Sequence, residues 1–316
     1  MRLTGARCYG HTVHHPTRHR AAHRHHRCFD QRANVQSTDC AAKWTSCNTR
    51  NRYLRIKSRR VGAEFEIRVA SPLPPFIGGT PSNYDVLYVL DGDFFFGMAT
   101  DMTRLMYRLF GELPPILVVG IGYGTIDGAV INDRRNRDFT PTADARAPLS
   151  GGASHFLNFL RDELKPLIAE RYSQATGSST LFGSSMGGLV ASFAALERPD
   201  TFERYIIASP ALWWDDHLLV RTASQRPLSR GETSARVFMA VGALEEGAGI
   251  PQTDGFRLVS NARDLAQRLQ MRSAPGLEVW LHVFSDETHT SVVPAALTRG
   301  LRTLYRNVPS LTRDGQ

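Results

Sequence analysis

Ser179-Thr-Leu-Phe-Gly183-Ser184-Ser185-Met186-Gly187-Gly188-Leu-Val-Ala-Ser-Phe-Ala-Ala-Leu196 is the stretch on which the reading of this chain turns. Four residues of strand character (179–182) run into glycine, and a helical pattern follows over 186–197. Between them, Gly183-Ser184-Ser185-Met186-Gly187 fits Gly-x-Ser-x-Gly, the sharp strand-to-helix turn that lifts a serine hydroxyl above a parallel sheet. Such a turn strains the backbone of its central residue, and glycines two positions either side relieve the crowding. Ser185 then stands at the start of a helix, where the backbone amide of Met186 can donate to an oxyanion.

Outward from that turn, the chain alternates strands and helices. Glu64-Phe-Glu-Ile-Arg-Val-Ala has the polar–apolar alternation of a half-buried strand. Tyr84-Asp-Val-Leu-Tyr-Val-Leu and Pro115-Ile-Leu-Val-Val-Gly-Ile are near-continuous apolar runs, as central strands covered on both faces should be. Further strands are expected at Tyr205–Ala208, Val237–Val241 and Leu277–Val283. Helices are expected at 95–110 (apolar side Met98, Met102, Leu105, Met106, Leu109), 154–171, 186–197, 256–270 and 291–306. Residues 123–153, rich in Gly, Asp, Arg and Pro, read as one long irregular loop, a length more often functional than incidental. Strands alternating with helices imply right-handed crossovers and a mostly parallel sheet with helices on both faces, its site at the carboxyl ends of the strands.

Composition bounds the rest. The 316 residues, 42% hydrophobic, suffice for a sizeable core, and no run of about 18 apolar residues is present to span a membrane. The net charge of +8 is uneven: residues 1–60 hold 14 of the 38 Lys/Arg and two of the 30 Asp/Glu, so the remainder is slightly acidic. A whole-protein case for nucleic-acid binding fails on that division. Residues 1–50 hold seven of the eleven histidines and all four cysteines, with no hydrophobic period, and read as a disordered basic leader. The leader lacks the apolar core of a secretory signal, and the expected location is cytoplasmic. The catalytic domain is expected at 55–308 and a tail at 309–316.

A serine hydroxyl needs a base. The body offers His155, His217, His282 and His289. His289 sits in a loop between a late strand and the last helix, after the serine in chain order, and is the expected base. The carboxylate that orients the imidazole should follow the strand 237–241. Glu245 is the choice there, with Glu246 beside it and Asp215, after the preceding strand, as alternatives. A second oxyanion donor is expected after the strand 84–90, from the amide of Gly92 or Asp93, with Gly92 allowing close approach of substrate.

Five stretches in order, Leu-Tyr-Val-Leu-Asp-Gly-Asp (87–93), Arg137-Asp-Phe-Thr-Pro141, Gly183-Ser-Ser-Met-Gly-Gly188, Ser209-Pro-Ala-Leu-Trp-Trp214 and Glu287-Thr-His-Thr-Ser291, resemble the putative-esterase family of α/β-hydrolases, in particular its siderophore-esterase-like branch. The resemblance covers about residues 55–308. It implies the α/β-hydrolase fold, Ser185 as nucleophile, His289 as base and Glu245 at the acid position, where relatives are not uniform. It places Arg137 and Asp138 at a pocket rim and Trp213 and Trp214 in an aromatic wall, with core packing an equally suitable reading for tryptophan. It implies acyl transfer through an acyl-enzyme on a small-molecule ester, with neither metal nor organic cofactor, and neither nucleic acid nor membrane as partner. An acyltransferase or thioesterase on the same scaffold, and a silent ligand-binding homologue, stand as alternatives. Arg134, Arg135 and Arg137 offer either contacts to an acidic substrate or a solvated loop face.

Overall fold

The structure is a computed structural model and describes residues 44–48, 51–76, 81–223, 235–251, 253–271 and 276–305. Nine strands form one sheet: β1 (Trp44–Asn48), β2 (Asn51–Lys57), β3 (Glu64–Ala70), β4 (Asp85–Val89), β5 (Ile116–Gly122), β6 (Ser179–Ser184), β7 (Arg204–Ala208), β8 (Ala235–Gly242) and β9 (Leu277–Phe284). The helices are α1 (Gly92–Phe110), α2 (Gly128–Phe139), α3 (Ala153–Phe159), α4 (Lys165–Arg171), α5 (Met186–Glu197), α6 (Trp214–Thr222), α7 (Leu258–Met271) and α8 (Val292–Tyr305). No helix among the described residues is long and apolar enough to cross a membrane.

The sheet order is β1-β2-β3-β5-β4-β6-β7-β8-β9. From β5 through β9 neighbouring strands are parallel, while β1, β2 and β3 form an antiparallel edge joined to β5. This is the mostly parallel α/β-hydrolase arrangement expected from the sequence. The chain leaves β4 for β5 on one side and returns to β6 on the other. The carboxyl ends of β4 and β6 therefore flank a switch in winding direction, where open α/β sheets place their ligands.

Alternate residues of the central strands feed two cores. Leu87, Val89, Phe182 and Ile206 pack with Phe96 and Ala99 of α1 and Leu297 and Leu301 of α8. Tyr88, Leu90, Leu181, Tyr205 and Ile207 pack on the other face with Phe156, Leu189 and Leu265, from α3, α5 and α7. Strands with apolar residues on both faces need cover on both, which is why their runs are continuous.

Four expectations need correction. The sheet begins at Trp44, inside the stretch read as a leader, and β2 follows at Asn51. Leu54 and Ile56 face the core and alternate with Tyr53, Arg55 and Lys57, so Arg55 and Lys57, part of the basic charge counted over residues 1–60, stand on the outer face of a strand. The rest of the expected leader, to residue 43, and the tail 309–316 lie outside the described residues. The expected loop 123–153 contains α2, whose buried residues are Ile131, Asp138 and Phe139, too few for an apolar period. The Asp127 carboxylate caps it, accepting from the Ala129 and Val130 amides at 3.0 and 3.2 Å. In α1 the buried stripe is Phe96, Ala99, Thr100 and Thr103, whereas Leu105 and Leu109 are about half exposed. The helix expected over 154–171 is broken by a π turn at Leu160–Leu164, just before Pro166, which has no amide hydrogen to continue the ladder.

Phe65 on β3 is fully buried and stacks on Phe159 at 4.6 Å between ring centroids, with Phe156 at 5.7 Å. Phe65→Ala is expected to lower stability by about 3–5 kcal/mol in urea unfolding. A loss below about 1 kcal/mol would contradict this packing account.

Candidate active site

Ser185 stands between β6 and α5 with φ 59° and ψ −117°, a left-handed conformation that an L-residue keeps only when its surroundings enforce it. Three hydrogen bonds do so. Its amide donates to the Ala208 carbonyl at 3.0 Å, and its carbonyl accepts from Leu189 and Ala211 at 2.9 and 3.0 Å. A side chain at Gly183 would meet the Gly187 carbonyl at 2.2 Å, so a glycine is required there by contact. Met186 is the first residue of α5, and a first-turn amide has no carbonyl one turn back to bond.

Glu245 closes a short 3-10 turn after β8 and is fully buried. Its Oε1 accepts from the Gly242 amide at 2.6 Å and the Ser209 hydroxyl at 2.5 Å. Its Oε2 lies 2.6 Å from Nδ1 of His289. A buried carboxylate needs such donors to stay ionised without water. With Nδ1–H donated to it, His289 carries its lone pair on Nε2, the tautomer a general base requires. The loop bearing His289 is fixed to β8, because the Leu244 amide donates to the Glu287 carbonyl at 3.1 Å.

The alternative acids are engaged elsewhere. Both carboxylate oxygens of Glu246 turn to α7, accepting from the Ser260 amide at 2.7 Å and its hydroxyl at 2.6 Å. Asp215 accepts from the Thr142 hydroxyl at 2.8 Å. Of the other histidines, His155 is exposed on α3, and His282 on β9 packs its ring against Phe284 at 4.3 Å.

On the β4 side, Asp91 adopts φ 50° and begins α1, so the Gly92 and Asp93 amides lie in that helix's first turn. A Cβ at Gly92 would sit 2.8 Å from the Ile121 amide nitrogen. This glycine is therefore demanded by α1 pressing on β5, not by the approach of substrate that the sequence suggested. The Asp93 carboxylate accepts from the Tyr123 amide at 2.5 Å and from Arg68 at 2.7 Å, tying α1 to β3 and to the end of β5. Asp91 is buried, with one oxygen 3.1 Å from Nε of Arg135. Burial pushes its carboxyl above the ordinary range, against the pull of Arg135. Arg135 also reaches the Ser184 carbonyl at 3.5 Å, and a side chain at Gly187 would meet the Asp91 carboxylate at 3.2 Å. The Asp91–Arg135 pair thus lies directly against the elbow.

The residues expected to shape the pocket divide. Asp138 is fully buried, so it is no rim residue. It takes two bonds from Arg137 at 2.7 Å each and one from the Tyr123 hydroxyl at 3.1 Å. Trp214 is likewise core, its indole N–H satisfied by Thr142 at 3.1 Å. Trp213 is half-buried and stacks on Phe256 at 4.8 Å, an aromatic pair across the loops that follow β7 and β8. Arg134 and Arg137 line a polar cleft of about 400 Å³ with Glu64, Glu66 and Tyr123. The three loop arginines are occupied by Tyr123, Asp91 and Asp138 respectively, so they do not form an open cationic face. Ser209, Asp91 and Phe256 carry no mark of a role in the sequence, although the first two lie within the motifs 209–214 and 87–93.

The family described as Putative esterase matches residues 58–289. The chain is 32% identical over 273 residues to the ferri-bacillibactin esterase BesA of Bacillus subtilis, covering 81% of this chain and 90% of that protein. It is 27% identical over 247 residues to the siderophore triacetylfusarinine C esterase of Aspergillus fumigatus, covering 71% and 82%. The solved structure of the BES protein from Bacillus cereus superposes with a TM-score of 0.71 at 28% identity, covering 87% of this chain and all of that one.

Removing one partner of the Asp91–Arg135 pair strands a poorly solvated charge. Asp91→Ala is expected to cost about 3 kcal/mol in urea unfolding. A change within about 0.5 kcal/mol would show that the pair contributes nothing to holding the elbow.

Proposed function

The chain belongs to the Putative esterase family, and from that premise we propose that it hydrolyses carboxylic esters with Ser185 as nucleophile, His289 as general base and Glu245 as the acid that orients the imidazole. The observation that carries the reading is the commitment of His289 Nδ1 to a buried carboxylate, in the loops beyond the strand ends that include the Ser185 elbow. Ser185 Oγ attacks the ester carbonyl as Nε2 of His289 takes its proton, and Glu245 stabilises the imidazolium. The tetrahedral oxyanion rests on first-turn amides, that of Met186 and that of Gly92 or Asp93. The intermediate collapses, His289 returns the proton to the departing alcohol, and the acyl group stays on Ser185. Water, deprotonated by the same imidazole, then releases the acid. Every step uses groups of this chain and water.

The substrate class we propose is an ester-linked siderophore. By their names BesA acts on ferri-bacillibactin and the Aspergillus fumigatus relative on the siderophore triacetylfusarinine C, and the match spans most of each protein. The half-exposed Trp213–Phe256 stack, across the loops that follow β7 and β8, supplies apolar aromatic surface for such a substrate. A cytoplasmic location belongs to the same proposal.

Ser185→Ala is expected to keep the fold and to lose at least about three orders of magnitude in kcat on p-nitrophenyl butyrate. Near-native rates from that variant would refute the nucleophile. In a panel of enterobactin-type trilactones, feruloyl esters and short acyl esters, kcat/KM is expected to be highest for the trilactones. A preference of tenfold or more for feruloyl or short acyl esters would refute the substrate class.

A further inference from the structure

Ser209 directly follows β7 as Ser185 directly follows β6, and it shares the left-handed backbone, with φ 42°. It is fully buried, and its amide donates to the Ala240 carbonyl at 2.7 Å. Its neighbours hold the nucleophile: the Ala208 carbonyl accepts from the Ser185 amide, and the Ala211 amide donates to the Ser185 carbonyl, each at 3.0 Å. Its own hydroxyl donates to Oε1 of Glu245 at 2.5 Å. Segment 208–211 therefore grips the nucleophile through its backbone and the acid through one side chain. A serine in this conformation is unfavourable by itself, and a glycine would sit there without strain. The hydroxyl is what a glycine would lack.

A carboxylate terminal torsion is broad, so a glutamate held by one donor can rotate. The Gly242 amide and the Ser209 hydroxyl converge on Oε1, which fixes the carboxylate plane and leaves Oε2 to His289. We propose that Ser209 is a positioning residue that locks Glu245, and through it the imidazole of His289, in register with Ser185. The inference rests on the triad assigned above.

The test is a double-mutant cycle read as kcat and KM on p-nitrophenyl butyrate and as the rate of fluorophosphonate labelling of Ser185. Ser209→Ala and Ser209→Gly are each expected to lower kcat and the labelling rate about tenfold with KM changed less than twofold, as loss of a strong charge-assisted bond implies. Ser209→Gly also fits the backbone, so it separates the lost hydroxyl from strain. In a Glu245→Ala background the same substitutions are expected to change either rate less than twofold, because nothing remains to be positioned. An undiminished rate in both Ser209 variants, or a tenfold loss that persists without Glu245, would overturn the proposal. Absence of any label on Ser185 in the unmutated protein would instead refute the triad itself.

Discussion

The hydrogen bond between buried Glu245 and His289 exists only because β6, β7, β8 and β9 are parallel neighbours ending along one edge. A parallel sheet requires each strand to be followed by a crossover, and each crossover begins at the same edge. The residues after successive strands are thus brought side by side although far apart in sequence. Ser185, Ser209, Glu245 and His289 follow β6, β7, β8 and β9 in turn. Asp91 follows β4, the neighbour of β6 on the other side. The site is a row, and the hydrogen-bond register of the sheet sets its spacing.

Three members of that row, Asp91, Ser185 and Ser209, have left-handed backbones without being glycine. Each such residue costs of order 1–3 kcal/mol unless its surroundings impose the conformation. Here the surroundings are two covered faces of apolar packing and a set of buried polar bonds. Charge near the site is used inwardly. Arg135 meets Asp91, Arg137 meets Asp138, and Arg68 bridges Glu66 and Asp93. These pairs tie α1, α2 and β3 together around the elbow. The loop arginines are better understood as braces for the site than as a landing surface for an acidic substrate.

The central strands, the elbow and the residues proposed as partners of Ser185 each leave a local mark in the sequence. Continuous apolar runs show the covered strands, Gly-x-Ser-x-Gly shows the turn, and chain order points to His289 and Glu245. What was not legible depends on contacts between distant segments. Gly92 is needed because α1 presses on Ile121, which nothing around residue 92 reveals. Asp138 is of a residue type ordinarily exposed yet is fully buried, whereas Trp214 takes the core placement that suits tryptophan as well as a pocket wall does. Helix α2 has too few buried residues to show a period, and β2 hid its alternation under basic side chains. Ser209 lies within the motif 209–214, yet its bond to Glu245 exists only in the folded chain.

The proposed chemistry depends on activation of the Ser185 hydroxyl by the single late imidazole of His289. The most direct measurement is the rate and site of fluorophosphonate labelling in the unmutated protein and in His289→Ala, read by intact mass and peptide mapping. One adduct per chain is expected, on Ser185, formed at least about a thousandfold more slowly when the imidazole is absent. An adduct on another residue, or labelling of Ser185 at an undiminished rate without His289, would contradict this chemistry.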